Sequence, residues 1–304
     1  MVAVSHCDCT EKTLDHIGHF VLDTETARES LIDYGFSPTP FSTQYTIDEA
    51  GNYTPTGTGN ICAMLQGGYI EILGKTHDTP LGRELTRAVS VFEGLHLLAF
   101  SSSDARVEPA RLQRFGFPTR PLVELNRPAA TETGEEVAKF TVARVLPGTM
   151  PEGRIQFLTH HTSDLVWQKR WLSHLNGAQT LNAATIATND IKSTSERYAR
   201  FLDASVKRIG NGAEIELDRG RIIFVSPASL ECIFSSLPKQ ESFLAAYLIL
   251  VQSLDRTRLF FRERNIAMRD SVSCLAVRFP KALGKGGWFF VEDECFDLTQ
   301  VVQC

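Results

Sequence analysis

Leu14–Leu22 reads LDHIGHFVL and runs on into DTETARESLIDYGF, which ends in Gly35-Phe36; Gly94–Ser102 reads GLHLLAFSS and runs on into SDARVEPARLQRFGF, which ends in Gly116-Phe117. Each stretch opens with an apolar run of strand length. Asp23 or Ser103 then supplies a helix-start signal. A helical pattern follows, with Ala27, Leu31 and Tyr34 in one copy and Ala110, Leu112 and Phe115 in the other. A glycine free to take positive φ closes it. Laid on one another, the stretches put His16 on His96 at an offset of 80 residues and Gly35 on Gly116 at 81.

Three strand-like runs follow each helix. They fall near Thr39–Thr46, Asn60–Leu65 and Gly68–Leu73 in the first copy, and near Arg120–Leu125, Lys139–Leu146 and Arg154–Thr159 in the second. The repeated unit is therefore β-α-β-β-β. Two fainter copies follow. In one, Leu181–Thr188 is a strand, Ser193-Thr194-Ser195-Glu196 is a capping box opening a helix through Leu202, and Ala213–Leu217 with Arg221–Val225 forms a hairpin. In the other, Tyr247–Gln252 is a strand, Arg256–Glu263 a helix, and Ser273–Phe279 with Trp288–Glu292 a second hairpin.

The expected fold is α+β: four β-α-β-β-β units paired into two barrel-like domains. Residues 1–13 form a flexible N-terminal tail, 14–160 the first domain, 161–178 an inter-domain segment and 179–304 a second, degenerate domain. A chain of 304 residues with 43% hydrophobic and 22% charged side chains has ordinary globular proportions, which excludes a disordered or fibrous chain. A net charge of −5 argues against a nucleic-acid partner. The longest apolar run, Phe243–Val251, is nine residues, where a spanning helix needs about 20, so no membrane segment is expected. Seven unpatterned cysteines and no secretion signal point to reduced thiols and a cytoplasmic protein. His6-Cys7-Asp8-Cys9 could hold a soft metal, but no second ligand pair accompanies it. With four units in one chain, a monomer is feasible and a homodimer is not required.

The sequence resembles the vicinal oxygen chelate superfamily and, within it, the glyoxalase-like-domain proteins. Four features carry the resemblance: the Leu14-Asp15-His16 strand with Gly35-Phe36 after its helix; Gly57-Thr58-Gly59-Asn60 leading into a strand; Tyr69-Ile70-Glu71-Ile72-Leu73; and His160-His161-Thr162, Trp167, Trp171 and His174–Ala178. In the last, Leu175 stands where the family has proline. The resemblance implies a divalent metal (Zn, Ni, Co, Mn or Fe) held inside a paired barrel, where it chelates two adjacent oxygens of a small-molecule substrate.

Side chains alternate faces along a strand, so His16, Gly18 and Phe20 share one face and His19 takes the other, towards the helices. The repeat alignment sets His96 in the role of His16, and Gln156 in the role of Glu71. His16, Glu71, His96 and Gln156 should then converge on the pseudo-two-fold axis. Two imidazoles and a carboxylate make a good divalent-metal set. Gln156 can coordinate only through its carbonyl oxygen and cannot serve as a base, so proton shuttling would fall to Glu71 or a histidine. One of His160 and His161 should point to the cleft from its strand end, and Arg154, Leu158 and His160 share the Gln156 face. The plainer alternative is a turn held by their ring nitrogens. The third and fourth units, with Asn182, Ile223, Leu248 or a neighbour, and Phe289 at the matching places, offer no such set.

These residues predict a metal-dependent lyase or isomerase acting through Glu71 and His160. Two readings compete with it: an extradiol-type iron dioxygenase, and a non-catalytic small-molecule binding or sequestering protein. Specificity is expected from loops near Phe41–Thr56 and Thr79–Ser90.

Overall fold

A computed structural model describes residues 11–47, 52–132 and 134–302. The His6–Cys9 run lies outside them, as does part of the expected loop after Phe41. The first half runs β1 (Lys12–Phe20), α1 (Thr24–Asp33), β2 (Ser42–Ile47), β3 (Tyr53–Met64), β4 (Tyr69–Lys75), α2 (Pro80–Val91), β5 (Gly94–Ser102), α3 (Glu108–Arg114), β6 (Val123–Ala130), β7 (Glu135–Arg144) and β8 (Arg154–His160). A short helix, α4 (Ser163–Val166), and a single 3-10 turn at Lys169–Trp171 lead on. The second half runs β9 (Ala178–Thr188), α5 (Ile191–Leu202), β10 (Lys207–Ile209), β11 (Gly212–Glu216), β12 (Arg221–Val225), α6 (Pro227–Glu231), β13 (Ser242–Val251), α7 (Leu254–Glu263), β14 (Met268–Asp270), β15 (Leu275–Arg278) and β16 (Gly287–Val291).

The first eight strands close into a barrel in the order β1-β4-β3-β2-β6-β7-β8-β5, and the last eight form one open sheet in the order β10-β11-β12-β9-β13-β16-β15-β14. Each sheet is centred on an antiparallel pair of first strands, β1 with β5 and β9 with β13. Four β-α-β-β-β units paired two by two are thus what the chain forms.

Local chemistry explains the element starts. The Asp23 carboxylate accepts from the backbone N–H of Glu25 and Thr26, as expected of an N-cap. Gly35 and Gly116 both sit at φ +85° and end their helices. Three expectations shift. The stretch Thr79–Ser90 is no loop: Thr79 caps α2, Pro80 fills the first turn, and Leu85 and Val89 turn inward, a helical stripe that the loop reading overlooked. Helix α5 starts at Ile191 under an Asp190 cap, ahead of the Ser193 box, because the Asp190 carboxylate takes the Ser193 N–H. Helix α3 starts at Glu108, five residues after Ser103, and the Glu108 carboxylate is buried between Ser102 and Arg111.

The two halves share one core. Leu31, Phe100 and Phe157 from the first pack into the same cluster as Phe201, Phe261 and Trp288 from the second. Backbone bridges at Thr13–Arg219, Gly67–Thr180 and Gly94–Lys285 stitch the sheets together. His19 lies on this seam, fully buried, with Nδ1–H donating to the Leu283 carbonyl at 2.8 Å and Nε2 3.1 Å from the Tyr247 hydroxyl. The linking segment is tied down as well. His174 spans the Ser37 N–H and the Met64 carbonyl, Trp167 donates to the Leu65 carbonyl, and Asn176 donates to the Tyr34 carbonyl. Among the described residues Cys62, Cys274 and Cys295 are free thiols. Cys232 is disulfide-bonded, which corrects the all-thiol expectation at that position. No helix among the described residues is long and apolar enough to cross a membrane.

The register of β1 with β5 decides where the site residues point. Leu14 pairs with Phe100 and His19 with Leu95, while His16 pairs with Ala99 and Gly18 with Leu97. Between these pairs the ladder skips Asp15 on one strand and His96 on the other, so each is the extra residue of a β-bulge. The two-fold relation that exchanges the pairs is an offset of 81 residues throughout, the same as between Gly35 and Gly116. His16 therefore corresponds to Leu97, and His96 to Asp15. The offset of 80 was one residue out, and in a strand one residue is the difference between faces. Glu71 pairs with Gly18 and Gln156 with Ala99, so those two do correspond.

Candidate functional site

Inside the barrel, His16, Glu71 and Gln156 line one narrow cavity of about 30 Å³, joined by Gln44 and Asn60. That is room for one small group or a water. His16 is 3% exposed and Glu71 4%. The His16 Nε2 stands 3.5 Å from Glu71 Oε2, and the imidazole stacks on the Tyr69 ring at 4.4 Å between centroids. The Asn60 amide donates to Glu71 Oε1 at 2.5 Å, and the Gln44 amide approaches the same oxygen at 3.5 Å. Thr58 in turn donates to the Gln44 carbonyl oxygen at 2.7 Å, which fixes that amide.

Behind His16 lies Asp15, which the bulge turns away from the strand alternation. Its carboxylate is fully buried, accepts from His16 Nδ1 at 2.6 Å and His160 Nε2 at 3.0 Å, and also takes the Ser101 hydroxyl. Burial works against its charge, but His160 and His16 more than offset that and hold the Asp15 carboxyl far below the usual carboxylate range. His160 thus reaches His16 only by way of Asp15. It is enclosed by the Tyr69, Phe140 and Trp167 rings and does not line the barrel cavity. His161 bonds the Thr141 hydroxyl at 2.7 Å.

The structure brings together His16, Glu71 and Gln156 and leaves His96 apart. His96 lines an adjoining cavity of about 480 Å³, packed against Phe92 and Phe20, with Nε2–H donating to the Phe92 carbonyl. Burial lowers its pKa. In the barrel, the place related to His16 holds Leu97, which cannot coordinate. Gln156 is engaged too, because its Oε1 accepts from Arg144 Nε at 3.0 Å. Among the described residues, no three of His, Cys, Asp and Glu stand together as a metal-holding group. One imidazole and one carboxylate do not make the two-histidine, one-carboxylate set, so the donors present do not fit the metal centre expected from the sequence.

Sequence reasoning set Arg154 on the Gln156 face without giving it a role, and it missed Arg127 and Arg144. Arg127, Arg144 and Arg154 line the barrel cavity, and Arg144 and Arg154 line the wider cavity as well, so they form the partition between the two. Burial, reinforced by Arg154 and Arg120, pulls the Arg144 guanidinium down to about 9. Burial pulls Arg154 down to about 10. Arg127 reaches the Cys62 sulfur at 3.3 Å, and burial pushes that thiol up to about 11, so it is no nucleophile at neutral pH. Inward alternation along β7 and β8 was the available signal for Arg144 and Arg154. Asp15 was hidden because only a bulge turns it inward beside its neighbour His16.

A barrel built from two β-α-β-β-β units, fused to a second pair, with polar groups gathered inside the first, defines the vicinal oxygen chelate fold. The chain belongs to the glyoxalase-like domain family, whose profile matches residues 14–202. No curated protein matches the chain. Three solved structures share the fold over nearly its whole length. A hypothetical protein from Staphylococcus aureus is 11% identical, with TM-score 0.62 over 92% of this chain and 98% of its own. A mutant of 4-hydroxymandelate synthase from Streptomyces coelicolor is 14% identical, with TM-score 0.55 over 93% and 92%. The Mn(II)-bound glyoxalase from Novosphingobium aromaticivorans is 12% identical, with TM-score 0.54 over 93% and 84%.

Proposed function

We propose that the N-terminal barrel acts on a small molecule with adjacent carbonyl and hydroxyl oxygens by proton transfer, in the isomerase or lyase manner, with Glu71 as base. The observation that carries this reading is the 3.5 Å approach of Glu71 to a His16 whose other nitrogen is fixed on Asp15. A carboxylate free of metal can take a C–H proton. The electron pair left behind moves onto the neighbouring carbonyl oxygen as an enolate. His16 Nε2 takes or returns the hydroxyl proton, and the guanidinium of Arg154 lines the same cavity to meet the negative oxygen. The reacting end enters the narrow barrel cavity, and the adjoining 480 Å³ accommodates the rest of the molecule.

The test is hydrogen exchange. Hydroxyacetone, a neutral probe with the required oxygens, is incubated with the protein in D₂O, and deuterium entry at its CH₂ is followed by NMR. Wild type should accelerate entry, and Glu71→Gln should cut the acceleration by roughly 10²–10⁴-fold. No acceleration by wild type, or an undiminished rate in Glu71→Gln, overturns the reading and leaves small-molecule binding without catalysis.

A second reading has its own support. A carboxylate behind the imidazole, as Asp15 stands behind His16, is how metal-bound histidines are commonly oriented, and one structural neighbour is a Mn(II)-bound glyoxalase. Elemental analysis of wild type beside His16→Ala separates the two. Near-stoichiometric metal that is lost in the variant would replace the metal-free reading.

A further inference from the structure

The wider cavity, lined in part by Glu84, Arg87 and Ala88 of α2, combines cationic and apolar groups. Arg87, Arg120, Arg144 and Arg154 line it, together with Leu146, Pro147 and Met150 from the loop after β7. Glu84 is the one carboxylate among its lining residues, and it is occupied by Arg120 at 2.5 Å. Arg154 lies 4.9 Å from the centroid of the Phe20 ring. Neither Arg144 nor Arg154 makes an ion pair among the described residues, and Arg144 is only 9% exposed.

A buried and a half-buried guanidinium on one cavity, neither in an ion pair, are costly for the empty protein. They are well matched to a planar or tetrahedral oxyanion, which accepts their N–H groups in a fork. Burial draws both pKa values down further than the nearby Glu84 and Glu71 raise them, so the two cations are incompletely compensated.

We propose that this cavity is the anion subsite of the molecule: Arg144 and Arg154 hold the carboxylate or phosphate of an amphipathic small ligand whose apolar part lies along Leu146, Pro147 and Met150. The proposal names the substrate class for the barrel reaction and in that respect rests on the proton-transfer reading, although anion binding stands or falls by itself. His96, with Nε2–H committed to Phe92, keeps Nδ1 as an acceptor in the same cavity. This gives the bulge histidine a place in ligand recognition distinct from metal binding.

Calorimetric titration of the full chain with phenylacetate and with phenyl phosphate tests this. At least one should bind saturably, and which one does distinguishes carboxylate from phosphate. Arg154→Gln should weaken binding about tenfold or more, Arg154→Lys should restore part of it, and Glu84→Gln, which removes the cavity's own carboxylate, should tighten it a few-fold. The Glu84 variant keeps the test open if loss of a buried arginine impairs folding. No saturable binding of either probe at millimolar concentration, or an unchanged affinity in both Arg154→Gln and Glu84→Gln, overturns the proposal. Anion binding without hydroxyacetone exchange refutes only the proton-transfer reading, and exchange without anion binding refutes only this subsite.

Discussion

In the N-terminal half the face enclosed by the sheet carries His16, Glu71 and Gln156. The same places in the C-terminal half follow from its own register, where β13 skips Ala245 against β9 and β9 skips Asn182, and they carry Ala183, Ile223 and Phe289. One half closes into a barrel around polar groups that satisfy each other: Glu71 with Asn60 and Gln44, Gln156 with Arg144. The other stays open, and Ala183, Ile223, Leu248 and Phe289 pack with Phe234, Phe296, Leu298 and Val302 from its own loops and C-terminal segment. A β-α-β-β-β pair therefore has two stable endings. Either its inner face is enclosed and carries polar groups among the apolar ones, or it is apolar and filled.

The contrast can be broken most severely in the filled half. Phe289→Ala should cost about 3–5 kcal/mol in urea unfolding, whereas Gln156→Ala at the related barrel position should cost about 1–3 kcal/mol, mostly for leaving the Arg144 Nε–H unpaired. Equal losses would mean that the two interiors are not different in kind. The seam between the halves answers to pH. Burial lowers the His19 pKa to about 4 from the ordinary 6.5. Below pH 6.5 the unfolded chain takes up a proton that the folded chain refuses, so stability is complete above that pH and falls as the pH drops towards 4, by up to about 3 kcal/mol. His96 and His174, also lowered by burial, act with the same sign. Stability measured from pH 7 to pH 4 should fall less steeply in His19→Gln than in wild type, and parallel curves would remove His19 from the account. The subtlest change sharpens the comparison within the barrel. Leu97→His places an imidazole at the true counterpart of His16, and zinc titration should show at least about tenfold tighter binding than wild type, which is about 1.4 kcal/mol. No gain would contradict the 81-residue correspondence.

Much of this architecture was legible. The repeat with its Gly-Phe endings exposed the β-α-β-β-β units, and the pairing of Glu71 with Gln156 followed from them. The His16–His96 match was misleading for a physical reason. Two bulges shift the strand alternation by one residue on each side of the axis, and no local propensity marks where a ladder will skip. The same slip set Asn182, itself a bulge residue, in place of Ala183. Arg127 and Arg144 escaped notice, and Arg154 was placed on the Gln156 face without a role, because a charged side chain on a strand ordinarily faces water. Only barrel closure, a property of eight strands at once, turns Arg127, Arg144 and Arg154 inward.

The core common to both halves also constrains how such a chain can diverge. Leu31, Phe100 and Phe157 are covered by Phe201, Phe261 and Trp288, so neither half can be excised or exchanged without exposing the other. Inheritance is thereby partitioned by sheet face and not by domain. The inward face of the C-terminal sheet is free to carry no reactive group, while its outward face, as the wall of its sister, must keep its shape.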